Sequence, residues 1–292
     1  MKIRNKFFFL LFFFLSCNKY ERFDVQGHRG VRGLYPENSI IGFIKSIEMG
    51  VNTIELDVVI SKDRQVVVSH EPWISHIICV DSLGLKINDD VNKYNIFKMN
   101  YNEIKKFDCG SIKNPKFLSQ ENSFVSKPLL REVIIKIESY VKENNIEKPN
   151  YNIEIKSNKK GDNIFHPSYE IFSDLVYREI NNLISKNRIV IQSFDFRVLK
   201  YFNKKYPNIK ISVLVNDNYN PKNNLMELGF IPDIYSPNYN KLNKMDVLFL
   251  KEKKIDIIPW TVNSYDDIAK VLELGVDGII SDYPNRVLDL LE

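Results

Sequence analysis

Short runs of β-branched and other apolar residues alternate along the chain with longer stretches whose apolar positions recur at helical spacing. The short runs predict strands at 23–28, 53–60, 151–156, 188–192, 210–214, 233–235, 256–260 and 277–281. The longer stretches predict helices at 39–49, 129–144, 167–185, 196–204, 244–253, 264–274 and 284–291. The pattern is faintest at the sixth strand and at the helix before it, for which no bounds emerge. Strands separated by helix-length segments imply parallel βαβ units, and eight of them close a (β/α)8 barrel of the TIM type. An open doubly wound sheet is the competing architecture, but no GxGxxG follows the first strand.

Two segments fall outside this rhythm. Between residues 71 and 127 no βα repeat appears, apart from a short helical pattern around 101–107, so this stretch reads as an insertion after the strand at 66–70. The other is the N-terminus. Lys2, Arg4 and Lys6 precede an unbroken apolar run from Phe7 to Leu15. That run is too short for a membrane-spanning helix, which needs about 20 residues, and has the size of a signal-peptide core. It ends in Phe14-Leu15-Ser16-Cys17, similar to a bacterial lipobox with Phe14 in place of the usual Leu. The expectation is a cleaved leader over residues 1–16, a lipidated Cys17 and a barrel domain over 22–292. Such a protein is exported to the periplasmic or cell-surface side of a membrane and held there by acyl chains. An ordinary secretory signal or an uncleaved anchor, with Cys17 incidental, is the alternative.

Composition adds constraints rather than a function. The 292 residues are 44% hydrophobic, enough for a barrel of this size. The formal net charge is +4. Without the three leader cations it is about +1, which gives no reason to expect nucleic acid as a partner. Besides Cys17 only Cys79 and Cys109 remain. In an oxidising compartment they could pair, and two separate buried thiols are the alternative. With no CxxC, a structural zinc site is not indicated.

The strands carry the candidate chemistry. Residues two apart share a face of a strand, so Glu55 and Asp57 point the same way, inward on a barrel strand. Two buried carboxylates side by side repel each other unless a cation compensates. Glu154 repeats the pattern on the strand 151–156, with Lys156 on the same face and able to hold a phosphate oxygen. Three carboxylates without sulfur favour one hard cation: Ca²⁺, Mg²⁺ or Mn²⁺. His28 and His70 each end a strand, where barrel enzymes place their reacting groups. A pair of imidazoles suits phosphodiester cleavage, one as base and one as acid, while Arg29 and the metal offset charge on the phosphoryl oxygens. His76 and His166 lack such a setting and read as loop or surface residues.

These residues lie within blocks that resemble the signature of glycerophosphodiester phosphodiesterases. The blocks are His28-Arg29-Gly30, Pro36-Glu37-Asn38-Ser39, Glu55-Leu56-Asp57, Asp63 and Val67-Val68-Ser69-His70. Later blocks follow in order at 129–133, 152–156, 191–195, 260–263 and 275–284. The resemblance implies a TIM barrel with an insertion after the second strand. It implies hydrolysis of a glycerophosphodiester to sn-glycerol 3-phosphate and an alcohol, through a cyclic phosphate. It also implies a divalent metal at Glu55, Asp57 and Glu154, catalysis by His28 and His70, and phosphate binding by Arg29 and Lys156. Glu37 would support the site and Trp260 would line the substrate pocket. The chain departs from the family pattern at Glu71, where Asp is usual, and at Ser39, where Thr is usual; either hydroxyl caps a helix. A phospholipase-type barrel acting on intact phospholipid and a non-catalytic surface lipoprotein that binds head groups are the competing functions.

Overall fold

The computed structural model describes residues 23–292. The expected leader at 1–16 and the lipidation site Cys17 lie outside these residues.

Eight parallel strands form one sheet: β1 (Asp24–Gly27), β2 (Thr53–Ile60), β4 (Asn150–Ile155), β5 (Ile189–Ser193), β6 (Lys210–Val215), β7 (Ile234–Pro237), β8 (Asp256–Ile257) and β9 (Gly278–Ser281). A ninth, β3 (Val66–Val68), folds back antiparallel on β2 with Val58 opposite Val68. The sheet order is β8-β7-β6-β5-β4-β2-β1-β9. The two ends meet through backbone bonds from Asp277 N to Ile257 O (2.9 Å), Ile280 N to Pro259 O (3.0 Å) and Val262 N to Ile280 O (3.1 Å). The result is the expected TIM barrel.

Helices surround it: α1 (Ile40–Glu48), α2 (Tyr101–Ile104), α3 (Leu130–Glu143), α4 (Tyr169–Ile180), α5 (Phe196–Lys205), α6 (Pro221–Leu228), α7 (Lys244–Glu252), α8 (Tyr265–Leu274) and α9 (Pro284–Asp289). Ser39 caps α1, its hydroxyl accepting from Gly42 N at 3.1 Å. Helix α6 escaped the apolar pattern because the polar Asn224 is buried while the apolar Met226 is exposed. Its punctuation was nonetheless present, with Asn220 as cap, Pro221 in the first turn and Gly229 at φ 79° closing the end.

The parity of β2 decides what faces where. Ile54, Leu56 and Val58 pack outward with Phe43, Ile47, Leu130 and Val133 of the helices. Glu55 and Asp57 alternate with them and are fully enclosed. Inside the barrel the two halves differ. Val190, Ile234, Ile258 and Ile280 make an apolar cluster. Beside β1, β2, β4 and β5 a chain of amides runs instead. Asn152 Nδ2 donates to Gln26 Oε1 (2.8 Å) and Gln192 Oε1 (3.0 Å), and Gln192 Nε2 donates to Glu55 Oε1 (2.7 Å). The amide donors of Asn152 and Gln192 are satisfied along this chain, which ends on a carboxylate of the site, while Asn152 Oδ1 is buried without a hydrogen bond.

The insertion has a small core of its own, in which Ile74, Ile78, Tyr94, Ile96 and Ile104 pack with Val59 and Val67 of the β2–β3 hairpin. Cys79 and Cys109 are disulfide-bonded within it, which settles the two alternatives for these thiols in favour of pairing.

Candidate active site

The register of β2 against β4 places Asp57 directly opposite Glu154, and Glu55 lies one inward position below. All three are buried, and one oxygen from each lies within 4.8 Å of the others. Glu55 accepts on both oxygens, from Gln192 Nε2 (2.7 Å) and from the backbone N of Arg29 (2.9 Å). Asn38 Nδ2 donates to Asp57 Oδ2 (2.9 Å), whereas Asp57 Oδ1 is buried without a hydrogen bond. Lys156 Nζ stands 2.7 Å from Glu154 Oε1 and 3.6 Å from Asp57 Oδ1.

Burial, then the charges of Asp57 and Glu154, push the Glu55 carboxyl well above its ordinary range. Burial likewise raises Glu154, with Lys156 opposing. For Asp57 burial works in the same direction, but Arg29, His70 and Lys156 outweigh it and hold the group low. The connected network contains six carboxylates (Glu37, Glu55, Asp57, Glu71, Glu154, Asp282) and four cations (Arg29, Arg32, Lys127, Lys156). Carboxylates outnumber fixed cations here, an excess that a divalent cation would offset. An all-oxygen donor set with an unpartnered buried oxygen fits a hard cation.

Arg29 follows β1 in the left-handed region, at φ 51°, and Gly30 continues the turn at φ 89°. Gly27 leaves no room for a side chain, since a Cβ there would lie 2.2 Å from Gly30 O. This tight turn aims the Arg29 N–H at Glu55 and its guanidinium at Glu37 Oε1 (2.9 Å) and Asp57 Oδ2 (3.3 Å). Glu37 thus stands between Arg29 and Arg32, 3.7 Å from the latter. Arg29 and Lys156 reach the cavity but are already engaged with carboxylates.

Both histidines line one cavity. His28 Nδ1 lies 2.6 Å from Asp282 Oδ1, and Asp282 also accepts from Arg32 Nε (2.6 Å) and Asn263 Nδ2 (2.8 Å). Burial, then Arg32, push His28 down to about 4 against the pull of Asp282. His70 Nδ1 lies 2.8 Å from Glu71 Oε1. Burial opposes ionisation of Glu71, but the hydrogen bond and charge of His70 and the charge of Lys127 hold it down to about 2. The extra methylene of Glu71 therefore does not prevent it from reaching the imidazole.

A cavity of about 170 Å³ opens between these groups, lined by His28, Arg32, Glu55, His70, Lys156 and Trp260 among others. Trp260 meets Phe194 edge-on at 5.5 Å. Sequence reasoning placed the carboxylates, the histidines, Arg29, Lys156, Glu37 and Trp260, and the fold brings all of them together. It gave no role to Asp282, Gln192, Asn38, Arg32 or Lys127. Asp282 had a readable signal, because it follows the last strand just as His28 follows the first. His166 is a loop residue, one of the two readings offered for it, but it is not at the surface. It is buried, with Nε2 accepting from Asn158 N (3.1 Å) and Nδ1 against Pro167 O (2.8 Å). The loop 158–167 wraps around its ring. His76 is partly exposed beside Asp89 (3.1 Å).

Residues 28–286 match the Glycerophosphoryl diester phosphodiesterase family. The chain belongs to this family. It is accordingly an enzyme that hydrolyses glycerophosphodiesters. The family is generally dependent on a divalent metal, in keeping with the buried acidic trio. A glycerophosphodiester phosphodiesterase of Bacillus altitudinis is 31% identical over 271 residues, covering 91% of this chain and 96% of that one. The crystal structure of a glycerophosphodiester phosphodiesterase from Thermotoga maritima aligns with a TM-score of 0.62 at 25% identity, over 91% of this chain and 97% of that one. An Oleispira antarctica phosphodiesterase, solved in complex with the product sn-glycerol-3-phosphate, shares the fold at a TM-score of 0.73 and 20% identity, over 93% of this chain and 98% of that one.

Proposed function

We propose that the chain cleaves glycerophosphodiesters to sn-glycerol 3-phosphate and an alcohol by two-histidine acid–base catalysis beside one divalent cation, Ca²⁺ or Mg²⁺, with Mn²⁺ as a further candidate. The observation that carries this reading is the pair of histidines, each with Nδ1 against a carboxylate, flanking three buried carboxylates. Glu55, Asp57 and Glu154 would hold the cation, which supplies Lewis-acid stabilisation of charge on the phosphoryl oxygens.

The side chains divide the remaining work. Asp282 at Nδ1 fixes the His28 tautomer that leaves Nε2 with its lone pair. A ring pushed down to about 4 is neutral at neutral pH, so His28 takes the proton of the attacking glycerol hydroxyl. His70, which lines the same cavity, gives a proton to the departing alkoxide. In the second half water attacks the cyclic phosphate. His70 now accepts the proton of water and His28 returns its proton to the glycerol oxygen. Arg29 and Lys156 stand where the non-reacting phosphoryl oxygens gain charge.

The test is release of sn-glycerol 3-phosphate from glycerophosphodiesters before and after chelation. Activity lost with chelator and restored by one added cation supports the reading, and Glu55→Gln should need more metal for the same rate. Release of phosphatidic acid from phospholipid vesicles instead would move the substrate to intact phospholipid. Metal-loaded protein that turned over no phosphodiester would leave a head-group-binding lipoprotein.

The same reading includes export and anchoring, supported by the basic start, the apolar run and Cys17. Cys17→Ser should shift the protein from the membrane fraction to the soluble one. Unchanged membrane association would remove the acyl anchor from the account.

A further inference from the structure

The small catalytic cavity continues into a larger one, of about 470 Å³, on the far side of His70. The two share His70, Glu154, Lys156 and Phe194. Their chemistry differs. Both mix charged and apolar groups, but the first gathers His28, Arg29, Arg32 and Glu55 beside Trp260, whereas Pro72, Trp73 and Phe165 join the shared Phe194 to make the second the more apolar.

This second cavity is held by specific contacts between two parts of the chain. Trp73 comes from the insertion and Phe165 from the loop after β4, and their rings meet at 5.9 Å. Asn95 Nδ2 donates to Ile164 O at 2.8 Å, tying the insertion to that loop. The loop winds around the enclosed His166 ring so closely that a Cβ on Gly161 would come within 2.6 Å of its Nε2. The buried histidine, which has no part in the proton transfers, thereby fixes the wall that carries Phe165.

We propose that this groove is the subsite for the alcohol arm of the substrate, and that it selects a neutral alcohol bearing an alkyl chain or an aryl ring. The inference rests on the phosphodiesterase reading and adds the substrate class. A phosphodiester has two arms. The polar cavity matches the glycerol phosphate in size and charge, which leaves the larger, apolar one for the other arm. His70 stands at the junction, where the oxygen of the leaving alcohol must lie. A cationic head group is disfavoured, because Lys156 and Lys160 border the groove and its carboxylates Glu71 and Glu154 are paired with His70 and Lys156. An apolar chain gains from each methylene taken out of water.

The experiment measures sn-glycerol 3-phosphate release from the ethyl, butyl and hexyl esters of glycerol phosphate and from glycerophosphocholine. Expected is a rise in kcat/KM of about three- to fourfold per methylene enclosed, with the choline ester below the butyl ester. In Trp73→Ala, and independently in Phe165→Ala, the hexyl-to-ethyl ratio should fall toward one. A flat series, a preferred choline ester, or a ratio unchanged in both variants would overturn the subsite while the phosphodiesterase reading stands. No product from any of the four esters would overturn that reading, and this inference with it.

Discussion

The two histidine–carboxylate pairs have the same contact and opposite construction. His28 and Asp282 are separated by 254 residues and meet only because β9 closes on β1, with the His28 N–H donating to Ser281 O at 2.9 Å. Their side chains are 13% and 3% exposed. His70 and Glu71 are sequence neighbours beyond the β2–β3 hairpin, with side chains 31% and 27% exposed. One pair is a product of barrel closure, deep and low in dielectric. The other is local and wetter. In the proposed mechanism the same chemical unit would serve two roles: a neutral acceptor in the interior, and a proton donor nearer solvent.

Breaking the orienting carboxylate should affect the two pairs unequally. Asp282→Asn removes the group that fixes the His28 tautomer, and kcat should fall by about two to four orders of magnitude with KM little changed. Glu71→Gln removes one charge-assisted contact from a more exposed ring, and the loss should be about ten- to a hundredfold. Equal losses would erase the distinction between the pairs.

Unfolding at different pH sharpens it further. A ring held down to about 4 in the folded state binds its proton more readily when unfolded, where its value is 6.5. The stability linked to His28 is therefore complete above pH 6.5 and lost as pH falls toward about 4, on the order of 3 kcal/mol in all. Glu71, held down to about 2 from 4.5, contributes in the same sense but only in the lower window. In denaturant titrations His28→Phe should lose the upper slope and Glu71→Gln only the lower one.

The effect most confined to one region concerns the disulfide, which closes a 30-residue separation within the insertion. The double variant Cys79→Ala/Cys109→Ala should lose about 3 kcal/mol of stability. In hydrogen exchange the insertion and the His70 loop should open more readily, while the strands that hold His28 and Asp282 keep their protection. Uniform loosening of the barrel would tie the two regions together.

How far the sequence could be read follows the same division. Strand parity is local, so Glu55 and Asp57 on one face, and the eight runs themselves, could be read directly. Glu71 was visible beside His70 for the same reason. Asp282 was not visible as the partner of His28, because that pairing exists only after the first and last strands meet. Gln192 and Lys127 became site residues through tertiary closure as well, the ammonium of Lys127 reaching Ser69 Oγ at 2.8 Å. His166 shows the limit in the other direction. A histidine in a polar loop reads as exposed, but the loop folds around it.

The central claim is the division of roles, His28 as base and His70 as acid in the first step. Its most direct test is single-turnover release of the alcohol from two esters of glycerol phosphate, one with an alkyl alcohol and one with 4-nitrophenol. The account predicts that His70→Ala slows alkyl release by about a hundredfold or more but 4-nitrophenol release far less, because that leaving group departs without a proton. His28→Ala should slow both equally. Rescue of His28→Ala by 4-nitrophenol, with His70→Ala equally slow on both esters, would reverse the assignment.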